Sequence, residues 1–297
     1  MKILILGGAG QVGFELQRAL APVASMRVPG FGGHPRIDLS DFAKLEECVA
    51  AFVPDVVINA AAYTAVDKAE SEREQATRIN GYAPGVLARA ASKVGAAIVH
   101  YSTDYVFDGE GHGLRTEDAA TAPLNHYGAS KLAGEEAVAA ANPRHLILRT
   151  SWVYAAHGKN FPKTILRLAA SRDTLSVVAD QVGAPTGAPL LADATTQALL
   201  GLQRGKGAYG LYHLVASGET SWHELAVFLC NEALAQGLLP KVPDIKPITS
   251  AEFPTPAKRP FNSRLSNEKF KTNFDLSLSH WKDDVSHLVR ELAQSRI

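Results

Sequence analysis

Tyr127 and Lys131 stand four residues apart in the stretch YGASK, and the following KLAGEEAVAAAN carries apolar residues at helical spacing. On a helix, that separation puts a phenol and an ammonium on one face, one above the other. A free tyrosine ionises near pH 10, about three units too high for acid-base work at neutral pH, but a cation held beside it favours the phenolate. An isolated pair of this kind is ordinarily a surface contact. Chemical direction comes from HYSTDYVFDG (100–109), which ends a predicted strand with Ser102, Thr103 and Asp104. Ligands of open α/β sheets bind beyond the carboxyl ends of the strands. A threonine hydroxyl at that edge, a tyrosine on the next helix and a lysine one turn further can protonate or deprotonate an oxygen beside a nicotinamide ring.

A dinucleotide needs a place for its phosphates. Directly after the first predicted strand comes GGAGQVG, in which Gly7, Gly10 and Gly13 lead into an amphipathic helix. Glycines there allow a tight turn and close approach of the backbone to a pyrophosphate, with the helix N-terminus facing the anion. Alone, the triplet would be only a glycine-rich turn; its place after a strand and before a helix points to the cofactor. No acid follows the second predicted strand, near SMRVP (25–29), before Asp38. With Arg18 and Arg27 in range, NADPH is favoured and NADH is also accepted. Asp38 and Leu39 are candidates for the adenine side. Ser40 or Asp41 is equally suited to capping the helix that follows.

The elements that must position these groups are legible as alternation. KILIL (2–6), DVVIN (55–59), AAIVHYS (96–102) and HLILRT (145–150) are short apolar runs that do not alternate with polar residues, as strands covered on both faces should be. QVGFELQRALA, LEECVAAF, APGVLARAASKVG and KLAGEEAVAAAN lie between them with helical periodicity. This is the pattern of a Rossmann-type α/β fold, a doubly wound parallel sheet. Residues 1–150 read as the dinucleotide-binding domain, with some later segments returning to it. Residues 151–297 read mainly as a smaller α/β lobe for the substrate. That lobe is expected to be built on LYHLVA (211–216), the helix SWHELAVFLCNEALAQ and a terminal helix from about His280, leaving a cleft between the two bodies. Gly and Pro gather in DQVGAPTGAP (180–189) and in residues 240–262, long irregular segments of the kind that carry function.

Composition narrows the partners. The 297 residues carry 30 Lys plus Arg and 30 Asp plus Glu, so no basic field recommends nucleic acid or an anionic membrane. The apolar run at the N-terminus is too short for a signal peptide, and no run of roughly 18 apolar residues follows, so a cytoplasmic protein is expected. Cys48 and Cys230 lie far apart in apolar, helical contexts and read as reduced core thiols. WHEL lacks the second histidine of a zinc helix, and the ten histidines show no ligand spacing, so no catalytic metal is expected.

GGAGQVG, NAAAYTAVDKAE, YSTDYVFDG, YGASKLAGE, RTSWVY, DQVGAPTGA and RPFNSRL together resemble the extended short-chain dehydrogenase/reductases, and the likeness runs from residue 1 nearly to the C-terminus. Within that family the motifs look like those of enzymes that reduce the 4-keto group of a deoxysugar carried on thymidine diphosphate. The resemblance implies that Gly10, Gln11 and Val12 meet the cofactor pyrophosphate and that Ala62, Tyr63 and Thr64 line its middle. It also implies that Tyr127 and Lys131 flank the nicotinamide ribose, Tyr127 giving its proton to the ketone, Thr103 orienting that ketone and Lys131 tuning the phenol. Asp104 and Trp152 are implied on the sugar side, and Asn160, Gln181, Arg259 and Ser263 around the thymidine diphosphate. Trp152 offers a flat apolar face for a methyl group, or is core; Arg259 suits a diphosphate, or is a solvated loop cation. Asn59 and Asn80 read equally as cofactor neighbours or as turn-stabilising amides. Relatives are thought to bind magnesium between two subunits at the position of Glu15 and at a second acid. Pro189 stands where that second acid is expected, with Asp193 nearby, so bridging by Mg2+ is not expected, while a homodimer is left open. Two other functions fit the same fold. A nucleotide-sugar epimerase or dehydratase would recycle a bound nucleotide, and a dehydratase commonly needs Asp-Glu where this chain has Asp104-Tyr105. A non-catalytic NADP-binding regulatory subunit would not need the Thr, Tyr and Lys set.

Overall fold

The computed structural model describes residues 1–295. In its first half, strands β1 (Lys2–Leu6), β2 (Ser25–Arg27), β3 (Val56–Asn59), β4 (Ala97–Thr103) and β5 (His145–Thr150) alternate with helices α1 (Gln11–Leu20), α2 (Phe42–Phe52), α3 (Arg73–Thr77), α4 (Ala83–Lys93) and α5 (His126–Ala141). The second half runs β6 (Val153–Tyr154), α6 (Phe161–Ala169), β7 (Thr174–Val178), β8 (Val182–Gly183), β9 (Thr186–Gly187), α7 (Ala188–Gln203) and β10 (Gly210–His213). It ends with β11 (Thr220–Ser221), α8 (Trp222–Ala235), β12 (Asp244–Ile248), β13 (Asn262–Ser263), α9 (Glu268–Phe274) and α10 (Trp281–Gln294).

Six parallel strands form one sheet in the order β10-β5-β4-β3-β1-β2. The order reverses between β1 and β3, which makes that crevice the switch point where such sheets bind ligands. Strand side chains alternate faces, and β1 shows the consequence. Ile3 and Ile5 pack with Leu16 and Leu20 of α1 and Leu191 and Leu199 of α7, while Leu4 and Leu6 pack with Leu45 and Val49 of α2 and Leu87 of α4. Both faces are covered, as the unalternating apolar runs require.

LYHLVA does not found the later lobe. Its first residues are β10, paired in register with β5 from Gly210–Leu146 to His213–Arg149. A short apolar run carries no mark of which sheet it joins, and the open edge of β5 offers it a ladder of unpaired backbone groups. The later segments instead build a core from α6, α8 and α10, in which Ile165, Leu225, Leu229, Trp281, Val285 and Val289 meet Leu175 and Val177 of β7. Among the described residues, no helix is long and apolar enough to cross a membrane.

Helix α5 is locked to the sheet by a buried ion pair. Arg149 of β5 donates from Nε to both oxygens of Glu135, at 2.9 and 3.1 Å, and from Nη2 to Oε2 at 2.6 Å. Both side chains are about 95% shielded, and the guanidinium also lies 5.0 Å from the centre of the Phe107 ring. Removing one member leaves the other charged and buried. Glu135→Leu is therefore expected to lower the unfolding free energy by about 3–5 kcal/mol, measured by urea denaturation. A loss below about 1 kcal/mol would mean that the pair does not hold the helix.

Candidate active site

The turn after β1 is shaped for a dinucleotide. Gly7 has φ +83°, and a Cβ there would sit 2.6 Å from the Ala61 amide nitrogen, so no other residue fits between β1 and the segment leaving β3. Helix α1 begins at Gly10 with no side-chain cap, which leaves the N–H groups of its first turn available to an anion. Gln11 and Val12 occupy that turn, and the Gln11 side chain accepts from Asn160 Nδ2 at 2.7 Å. Asn160 also caps α6 through Lys163 N, which places it beside the phosphate turn. These features fit the cofactor.

Ala62, Tyr63 and Thr64 follow β3 on the same edge. Asn80 fixes this segment, accepting from Tyr63 N at 2.8 Å and donating to Tyr63 O at 3.0 Å. The Tyr63 hydroxyl donates to Glu72 at 2.6 Å, which pushes the phenol up to about 12. On the adenine side, Asp38 accepts from Ser40 N at 2.8 Å, and Asp41 caps α2 through Lys44 N. Leu39 is buried in the core layer, so only its backbone faces outward. Arg78 secures this turn, donating to Ser40 O at 3.1 and 2.7 Å with its guanidinium 4.4 Å from the Phe42 ring. Arg18 is not available to a ribose phosphate, because Glu15 and Asp193, each at 2.8 Å, draw it to the α1–α7 side. Arg27 lies against Phe52. The pairing of Glu15 with Arg18, together with Pro189, means that the residues present do not fit a divalent cation there.

Thr103, at the end of β4, and Tyr127 and Lys131, at the start of α5, come together. Asn125 caps the helix by accepting from Gly128 N at 2.8 Å and ties it to Lys258 O at 2.7 Å. A Cβ on Gly128 would lie 2.1 Å from the Tyr105 carbonyl oxygen, so the first turn of α5 rests directly on the turn after β4. The Tyr127 ring is held edge-on to Tyr105, with centroids 5.6 Å apart. Thr103 Oγ1 accepts from Tyr105 N at 3.2 Å and donates to Asp104 Oδ1 at 3.1 Å. Burial and, secondarily, the Asp104 carboxylate push Tyr127 up to about 12, with the Thr103 hydroxyl opposing them. The expected contact of Lys131 with the phenol is absent in the protein alone. A buried ammonium needs acceptors, and Lys131 Nζ takes Tyr101 O at 2.6 Å, with His100 Nε2 at 3.3 Å. Burial pushes Lys131 down to about 8.

Asp104 is buried, with Oδ2 unpartnered, and burial pushes its carboxyl up to about 6 against the pull of the Ser263 and Thr103 hydroxyls. Ser263 pairs with Gly183 across β13 and β8, and a Cβ on Gly183 would meet both Ser263 and the Trp152 ring. Trp152 has φ +50° and stacks on Trp222 with centroids 3.5 Å apart. Trp222 Nε1 donates to Gln181 Oε1 at 3.2 Å, and Gln181 Nε2 to Ser250 at 2.9 Å. Asp104, Ser263, Trp152 and Gln181 thus form one continuous wall. Arg259 is paired with Asp67 at 3.0 and 3.3 Å, on the Tyr105 side of the site. Sequence reasoning passed over Trp222, Asp67, Arg78 and Glu135; charge alternation and a lone tryptophan in a helix gave no signal of these pairings.

Residues 1–294 match the family described as the RmlD substrate binding domain. The dTDP-4-dehydrorhamnose reductase of Salmonella typhimurium is 49% identical over 295 residues, 98% of each chain. Among solved structures, a dTDP-4-dehydrorhamnose reductase of Clostridium acetobutylicum superposes with a TM-score of 0.89 at 38% identity, over 98% of this chain and 99% of that one. One from Bacillus anthracis, in complex with NADP, does so at 0.87 and 33% identity with the same coverage.

Because the folded protein holds the Asp104 proton more tightly than the unfolded chain does, Asp104 adds stability as pH falls from about 6 towards the ordinary carboxyl range. The stability of the wild type relative to Asp104→Asn should rise across that window and be flat above it. Urea titrations of both proteins from pH 7.5 to 4.5 read this, and parallel curves would exclude a buried acid at 104.

Proposed function

We propose that this chain, which belongs to the RmlD substrate binding domain family, is an NADPH-dependent reductase that converts dTDP-4-dehydro-L-rhamnose to dTDP-L-rhamnose. The observation that carries the reading is the convergence of Thr103, Tyr127 and Lys131 at the carboxyl edge of β4, beside a glycine turn fit for a dinucleotide. When bound, the reduced nicotinamide supplies the hydride that makes the C4 ketone an alkoxide. Tyr127 supplies the proton. Raised to about 12, its phenol remains protonated at neutral pH, and an alkoxide is basic enough to take the proton from it. The Thr103 hydroxyl, which donates to Asp104 in the protein alone, would turn its proton to the substrate oxygen when the ketone binds. Lys131 holds the ribose side of the cofactor and stabilises the phenolate left behind after proton transfer.

The wall of Asp104, Ser263, Trp152 and Gln181 receives the sugar and its diphosphate, with the segments after residue 150 supplying most of it. The apolar face of Trp152 suits the methyl of a 6-deoxysugar, and the Asp104 carboxyl suits its hydroxyls. Asp38 and the backbone of Leu39 serve the adenine, and Ala62 to Thr64 the middle of the cofactor. Asn160 and Arg259 act from beside the phosphate turn and the Asp67 segment. Asp104 is followed by Tyr105, and the adjacent glutamate that a dehydratase commonly uses is missing, so net reduction is favoured over internal redox recycling.

Tyr127→Phe should lower kcat by roughly 10²- to 10⁴-fold while NADPH binding, measured by calorimetry, stays close to that of the wild type. Retained turnover would end the assignment of the proton donor. With the enzymatically prepared 4-ketosugar nucleotide, initial rates at low cofactor concentration should be higher with NADPH than with NADH, and a clear advantage for NADH would reverse the preference.

A further inference from the structure

Lys131 is seated by a chain of hydrogen bonds whose direction can be followed link by link. The Ala61 amide donates to Asn59 Oδ1 at 3.3 Å, which turns the Asn59 amide so that Nδ2 faces His100 Nδ1 at 3.1 Å. An amide NH2 group only donates, so Nδ1 must accept, and in a neutral imidazole the proton then resides on Nε2. Nε2 lies 3.3 Å from Lys131 Nζ, and Nζ in turn donates to Tyr101 O at 2.6 Å. Asn59, His100 and Lys131 are 1%, 0% and 2% exposed, so donor and acceptor roles are decided within the chain of contacts. An N–H aimed at Nζ is satisfied only by the lone pair of an amine, because an ammonium is donor-only.

We propose that Asn59 and His100 are positioning residues for Lys131: Asn59 holds His100 as its Nε2–H tautomer, and that N–H makes Lys131 the accepting link, favouring the amine over the ammonium. When Lys131 carries its third proton, two donors meet at 3.3 Å, and relief requires the ring to move its proton and Asn59 to give up the Ala61 amide. That penalty falls on the ammonium alone, in the same sense as burial, which also keeps the His100 ring neutral. Of the other titratable groups facing Lys131, Glu135, one turn on and paired with Arg149, pulls in the opposite sense but is outweighed by burial; the Tyr101 phenol points to Thr195 at 2.7 Å, and Tyr127, one turn back, is protonated. In the reductase reading, on which the catalytic meaning depends, the Lys131 N–H is then a stronger acid than an ordinary lysine. The Lys131 charge, when present, stabilises the Tyr127 phenolate left after turnover, and the phenolic O–H forms again with a proton taken from water. No bond changes at His100 or Asn59.

The test needs no turnover. In the full-length, cofactor-free protein labelled with 15N-histidine, the ring nitrogens of His100 should report Nε2 protonated and Nδ1 bare throughout pH 6–8.5. The ring is assigned by the signals lost in His100→Gln or, if that variant does not fold, by its nuclear Overhauser contact with the Asn59 side-chain amide. A ring protonated on Nδ1, or on both nitrogens, overturns the proposal. In Asn59→Asp the new carboxylate accepts from Nδ1–H and turns the tautomer round, so Lys131, followed by its 13Cε shift, should titrate roughly one pH unit or more higher. An unchanged titration in a folded Asn59→Asp overturns it as well. An inactive enzyme with the expected tautomer would count against the reductase reading and leave this assignment standing.

Discussion

The catalytic corner depends on how closely α5 approaches the turn that follows β4, because the phenol, the amine and the threonine hydroxyl come from opposite sides of that junction. Gly128 lets the first turn of the helix rest on the Tyr105 carbonyl, and Asn125 fixes where the helix starts. Two turns further along, Glu135 meets Arg149. Contact at one end and an ion pair towards the other leave α5 little freedom to slide or roll, and a displacement of about 1 Å is enough to cost two orders of magnitude in a reaction that depends on alignment.

Close packing also sets the electrostatics. Tyr127, Lys131 and Asp104 are all driven by burial towards their uncharged forms, to about 12, 8 and 6 respectively. Such shifts gather at functional sites because the same exclusion of water that moves them strengthens every later charge interaction there. The protein alone therefore holds a neutral phenol ready to give a proton, next to an amine whose protonated form is only weakly preferred at neutral pH.

Much of this was legible in the chain itself. Strands β1, β3, β4 and β5 announce themselves because burial on both faces forbids polar alternation, and the turn at Gly7 does so because only glycine fits against Ala61. The spacing of Tyr127 and Lys131 reveals a shared helical face, but not that Lys131 bonds to the strand beneath it and away from the phenol. Long-range partners leave no periodic trace. Arg18 reads as a cation near the ribose until Asp193, far along the chain, claims it. Trp222 reads as helix filler until Trp152, in a left-handed turn, stacks on it. LYHLVA could have paired anywhere, and only the exposed edge of β5 decides it.

The return of β10 to that edge bears on how the polypeptide is made. Residues 151–209 must be synthesised between β5 and its neighbour, which at ordinary translation speeds takes roughly 3 to 12 s. Throughout that interval the nascent sheet ends in a hydrophobic border strand with its backbone groups unclaimed, the kind of surface that recruits other chains. Newly begun copies on one messenger are therefore most exposed to sticking together during this window, and chaperone attention would be best spent there.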